Sequence, residues 1–249
     1  LFSFQVMYWV DASTFLIYLA IALTLRGEKV NRYIPKQEEP STGSYRDLFA
    51  NKPLMLLGIA GVILFTFGYG TIQAGVPVFA TQFLGLNPKW LGIIFGVNTL
   101  SIVLLQPLVM RVLEKYSKYT ALIAISVIWA LSWVFVGVAP YLPMVASGVA
   151  LCVSQLIFAL GEMVQAPTIP TLANELTQEH IRGRANAWMS LQWSVSGVLG
   201  PAITGLMLGA DLATAWVFLM FIGCFLSIPI FLAMRKAARL QAQPSTTRW

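Results

Sequence analysis

The stretch "QPLVMRVLEKYSKYTAL", residues 106–122, sets Arg111, Glu114, Lys115 and Lys118 between two long runs that are almost free of charge. The whole chain follows that pattern. Of its 249 residues 57% are hydrophobic and only 10% charged, and the mean hydropathy is +0.74. Such a composition lies far from that of soluble domains and marks a membrane protein. A span needs about 20 mostly apolar residues to cross the hydrocarbon core. Seven runs qualify, at roughly 3–25, 53–80, 90–111, 119–138, 142–165, 185–209 and 213–235. They are too long for strands and do not alternate, so they read as helices. Pro77, Pro107, Pro201 and Pro229 fall inside them, which membrane helices tolerate where neighbours satisfy the freed carbonyls.

The charges in the opening stretch then belong to a short turn between two spans. Loop 26–52, loop 111–118, the approach to the sixth span and the segment after the seventh together hold fifteen of the sixteen lysines and arginines; Lys89 stands alone on the other side. The positive-inside rule makes those loops cytoplasmic, with residue 1 outside and the C-terminus inside. The expected location is therefore the plasma, or inner, membrane. A net charge of +6 distributed in this way sets orientation and does not indicate a nucleic-acid partner. Cys152 and Cys224 sit in apolar runs and read as small hydrophobes, and His180 has no ligand cluster around it, so neither a metal nor an organic cofactor is expected.

Residues 26–52 mix charge, Pro, Ser and Gly and read as a solvated linker, whereas residues 236–249 read as a disordered tail. Leu1 opens directly in an apolar run without a signal peptide's basic segment, so the chain is expected to begin inside a larger protein. Polar residues within the spans are uneven. The second span has Tyr69 and Gln73, the third Asn98 and Gln106, the fifth Gln155, Glu162 and Gln165, and the sixth Asn186 and Gln192; the fourth and seventh have no amide or charge between their ends. Many of these share a helical stripe, since Tyr69 and Gln73 are four apart and Trp188, Gln192 and Ser196 follow at four each. Four helices are thus expected to face water or substrate and two to face lipid. Interhelical bonding is the competing use of the same amides.

The segment from Met110 to Tyr119 resembles a degenerate copy of the G-x-x-x-[DE]-[RK]-x-G-[RK]-[RK] loop motif of the major facilitator superfamily. Glu114 stands at the acidic position and Lys115 and Lys118 at basic ones, while Met110 and Ser117 replace the two glycines. "GEMVQAPTIP" and "RGRANAWMSLQWSVSGVLGPAITG" are similar to the family's tenth and eleventh helices, and "FQVMYWVDASTFLIYLAIALTL" to its sixth. The resemblance implies an all-α membrane protein of seven transmembrane helices. Residues 1–25 would close the N-terminal half, 26–52 would be the central linker, 53–235 the six-helix C-terminal half and 236–249 a cytoplasmic tail. It also implies that Tyr69, Gln73, Asn98, Gln155, Trp188 and Gln192 line a substrate path, completed by the missing N-terminal half.

Two carboxylates invite a role in coupling or gating. Glu162 lies about 20 residues into the fifth span and at ~1.5 Å per residue falls near the cytoplasmic edge. There it is expected to pair with Arg111, Lys115 or Arg182 as a latch, while Glu114 faces a helix N-terminus of the other half. Asp11 lies mid-span, where a carboxylate costs about 2.5–3.5 kcal/mol and needs a proton or a partner. With no Lys or Arg inside a span, the lining suits neutral or cationic amphipathic molecules.

The reading is a secondary transporter working by alternating access, driven by the proton gradient and exporting drug-like small molecules. Its alternatives are an uptake permease for a neutral solute and a seven-helix receptor. A retinal protein would need an intramembrane Lys, and a membrane enzyme would need convergent groups at one depth, which Asp11 and Glu162 do not supply. Five further hydrophobic spans are expected in the coding sequence upstream of Leu1, and finding them would settle the architecture.

Overall fold

The computed structural model describes residues 4–24 and 45–242, and among them it contains helices and short turns but no strand. The chain divides into two units, residues 1–41 and 42–249. In the first, α1 (Phe4–Thr24) is an apolar helix. Its hydroxyls are satisfied by its own carbonyls, Ser13 donating to Trp9 and Thr14 to Asp11, each at 2.7 Å. Most of the expected linker, residues 25–44, lies outside the described residues, with four of the basic residues used to orient the chain.

The second unit contains a short helix, α2 (Tyr45–Ala50), and six helices long and apolar enough to cross a membrane. These are α3 (Lys52–Phe83), α4 (Lys89–Leu113), α5 (Lys118–Val138), α6 (Met144–Glu175), α7 (Arg182–Gly209) and α8 (Ala213–Ala242). Around the bundle α6, α5, α8, α3 and α7 pack in succession, the return from α7 to α6 is the thinnest seam, and α4 packs against α6.

Missing side chains decide where the helices meet. Trp129 of α5 is fully buried. A Cβ on Gly68 of α3, or on Gly161 of α6, would lie 2.3 Å from its ring. Trp129 stacks on Phe158 at 4.9 Å between centroids and donates its Nε1–H to the Phe158 carbonyl at 3.2 Å. One indole thus spaces three helices. On the other side of α3, Gly70 and Gly200 cross backbone to backbone, a Cβ on Gly200 coming within 2.7 Å of the Gly70 carbonyl carbon. Close crossings of this kind need small residues, because lipid supplies little hydrophobic drive for helices to associate.

Helix α3 is not uniform. Residues Phe65–Gly70 and Phe79–Phe83 are π-helical, which loosens the hydrogen-bond ladder locally. The Thr71 hydroxyl donates to the carbonyls of Phe67 (3.0 Å) and Thr66 (3.2 Å), and Thr81 donates to Pro77 (2.8 Å). The Thr71 bonds add a side-chain donor to carbonyls of the altered ladder, and the Thr81 bond adds one beyond Pro77.

Several expectations need correction. The fifth span does not stop at residue 165, since α6 continues through Pro167 and Pro170 to Glu175, and the Thr168 hydroxyl bonds the Val164 carbonyl at 2.6 Å. The end of the linker is docked and not solvated. Leu48 is buried, Asn51 caps α3 through Leu54 N–H (3.2 Å), and the Asn51 amide donates to the Leu176 carbonyl at 2.6 Å. The expected tail is helical as far as Ala242, while 243–249 lie outside the described residues. Nor are α5 and α8 simply lipid helices. Each has an exposed apolar face, with Val127 and Leu131 on one and Phe218 and Leu226 on the other, and an inner face joined by the Ser126–Ser227 hydroxyl pair at 2.8 Å. Serines that bond each other and nearby carbonyls escape a census confined to amides and charges.

Two variants of α7 test the crossing. Gly200→Ala is expected to cost about 1–3 kcal/mol through backbone overlap, whereas Gly205→Ala, whose Cβ meets nothing within 4 Å, stays neutral; thermal unfolding midpoints in detergent compare them. Trp129→Ala is expected to lose about 3–5 kcal/mol in the same assay.

Candidate transport site

Gly68 immediately precedes Tyr69, and Gly161 immediately precedes Glu162. The glycines that close on Trp129 therefore bring these two polar side chains toward each other. The Asn98 amide, from α4, donates to Glu162 Oε2 at 2.6 Å. The Tyr69 hydroxyl faces the same carboxylate and is itself faced by Gln73. Tyr69, Asn98 and Glu162 are half-buried and Gln73 is exposed, so the cluster opens to the surface of the unit. Four polar residues from three helices thus gather around one carboxylate, with the Asn98–Glu162 hydrogen bond at their centre.

The position of Glu162 along its helix differs from the expected one. Because α6 runs from Met144 to Glu175, Glu162 lies about 27 Å along the axis from one end and about 20 Å from the other at ~1.5 Å per residue. It is central, and its bonded partner is Asn98. The expected pairing with Arg111, Lys115 or Arg182 is replaced at the basic end by a different ion pair, Lys118 of α5 with Glu175 of α6. Arg111, Glu114 and Lys115 are exposed around the turn between α4 and α5. Ser117, at the motif's second glycine position, has φ −69° and caps α5 by accepting from Thr120 N–H at 3.3 Å. No left-handed backbone is needed there, which explains why a glycine is dispensable. Asp11 lies in α1, within the other unit.

Beside the cluster lies a cleft of about 210 Å³ walled by Phe65, Tyr69, Gln73, Trp193, Ser196 and Pro201. Trp193 stacks on Phe65 at 4.5 Å and meets Tyr69 edge-on at 4.8 Å. The stripe Trp188–Gln192–Ser196 exists as expected, but it packs chiefly along α3. A Cβ on Gly58 would strike the Trp188 indole and one on Gly61 the Gln192 amide. Ser196 donates to the Val62 carbonyl at 3.1 Å and accepts from Thr66 at 3.2 Å. Gln192 is 1% exposed and donates to Met189 Sδ at 2.9 Å; Gln155 is equally buried. The structure therefore brings Tyr69, Gln73, Asn98 and Glu162 together and places Gln155, Trp188 and Gln192 in helix packing.

Trp193 escaped the sequence reading because it lies one residue off the polar stripe. A signal was nevertheless present. Trp193, Gly197 and Pro201 follow at intervals of four, an aromatic beside a position with no side chain, and Gly197 has open space around it.

Comparison with known proteins agrees with this architecture. The Major Facilitator Superfamily model matches residues 1–141 and, overlapping them, 84–248. A protein described as "Uncharacterized MFS-type transporter YttB", from Bacillus subtilis (strain 168), is 26% identical over 129 residues, covering 51% of this chain and 31% of the relative. With its apolar six-helix bundle and matches that together extend from residue 1 to residue 248, the chain is an integral membrane protein belonging to the Major Facilitator Superfamily of transporters.

Proposed function

We infer that the protein is a secondary transporter that moves amphipathic, drug-like small molecules by alternating access, as a proton-coupled exporter. One observation carries this reading. A carboxylate midway along a spanning helix is held by uncharged donors and stands next to an aromatic cleft open to the surface of the bundle. Intramembrane carboxylates are costly and are retained where they carry ions or protons. In this reading Glu162 carries the coupling proton, Asn98 orients it, and Tyr69 and Gln73 connect it to the cleft. The rest of the site comes from a second, N-terminal half.

The basic loops lie in the cytoplasm of a cell whose plasma membrane holds the protein. Lys118–Glu175 ties α5 to α6 at that end, in the region where alternating access must open and close. Asp11, in the apolar helix α1, serves structure or coupling in the N-terminal half.

In proteoliposomes containing the complete transporter, an imposed proton gradient is expected to accelerate substrate flux. Glu162→Gln is expected to reduce the gradient-dependent component by about two orders of magnitude, as for loss of a proton-transfer group, while the thermal midpoint stays near the wild-type value. Equal flux with and without the gradient, or an unchanged gradient response in Glu162→Gln, would refute proton coupling at this residue.

A further inference from the structure

The donors around Glu162 are neutral, and away from their ends the spanning helices contain no Lys or Arg. When Glu162 is ionised, its charge therefore meets no Lys or Arg from the interior of the described spans. Tyr69 connects that charge to the cleft, because its ring forms part of the wall while its hydroxyl faces the carboxylate. A phenol that donates toward a carboxylate becomes more electron-rich in its ring, and ring faces attract cations. Trp193 adds the best such surface. It is held by stacking on buried Phe65, yet 43% of it is exposed. Gly197 and Pro201 keep the neighbouring stretch of α7 low, and the volume of about 210 Å³ suits a compact head group with one ring.

We propose that the cleft between α3 and α7 takes an organic ammonium cation with a small apolar body, bound on Trp193 and Tyr69 and selected for charge by Glu162. This assignment rests on the transport reading above and narrows its substrate class. An anion would be repelled by the carboxylate, and a neutral body of the same shape would gain only the apolar contact. Gln73, exposed at the edge of the cleft, offers a hydrogen bond to a hydroxyl or amide on that body.

The test uses two probes of equal shape, 3-hydroxyphenyltrimethylammonium and its neutral carbon isostere 3-tert-butylphenol. Their binding to the purified protein is measured by titration calorimetry and corrected for uptake by protein-free micelles. The cation is expected to bind about tenfold more tightly than the isostere, in the range of an aromatic cation site. Glu162→Gln is expected to bring the two within about threefold, as is Trp193→Leu, whereas Glu162→Asp, which keeps the charge, retains the preference. Equal binding of the two probes by the wild-type protein, or a preference that survives Glu162→Gln, overturns the proposal. Gradient-driven flux without this preference removes the cation assignment and leaves the transport reading intact; the preference without flux does the reverse.

Discussion

The bundle depends on one steric constraint, the fit of the Trp129 indole between two positions that have no side chain. In a bilayer the solvent around the helices is as apolar as their own surfaces, so association relies on close contact and on hydrogen bonds shielded from lipid. Trp129 supplies both. Its ring fills the space left by Gly68 and Gly161, and its N–H goes to the Phe158 carbonyl. Since Tyr69 and Glu162 are the next residues along their helices, the same wedge fixes the distance between the polar groups of the site. Packing and chemistry here share one piece of geometry.

A second constraint acts from the other side of α3. The Gly70–Gly200 crossing holds α7 against the π-helical stretch Phe65–Gly70. A π-helical turn alters the azimuth of the residues that follow it, and such turns recur at functional sites. Here it lies where α3 must present Tyr69 toward α6 and, within a turn, close on α7. The local cost is met by Thr71, whose hydroxyl bonds carbonyls within the loosened segment. Polar residues of the bundle thus fall into three groups. Ser126, Ser147, Thr168, Ser196 and Ser227 satisfy backbone or one another, whereas Asn98 and Glu162 bond each other beside Tyr69; Gln155 Nε2 and Gln192 Oε1 are buried without a partner among the described residues.

At the basic end, docking replaces looseness. Helix α2 places Phe49 edge-on to Trp188, and the Arg184 guanidinium lies 5.2 Å over the Tyr45 ring. Asn51 joins the start of α3 to the end of α6 through Leu176, and Lys118 joins α5 to Glu175. Aromatic and charged residues close to a basic loop read as solvated in a linear sequence because their neighbours are more than fifty positions away. Only the returning chain supplies those neighbours.

Composition, run length and the placement of basic residues determined that this is a helical membrane protein, and they located the six spanning helices of the second unit within a few residues at most of their ends. Those features are local, because a helix in hydrocarbon must satisfy its own backbone and must be about as long as the bilayer is thick. The charge pattern around Glu114 and Lys115, taken with the order of the spans, resembled the family that the comparison then showed. Tertiary structure alone decided which polar stripe faces a cleft and which faces another helix. Trp188, Gln192 and Trp193 are near neighbours in sequence, yet the first two press on glycines of α3 while the third opens beside Tyr69. Helical periodicity assigns residues to a face, but what that face meets depends on glycines in a different helix. Glu162 shows the same limit: its central position followed from where α6 ends, and its partner came from α4, neither of which spacing along a single helix can specify.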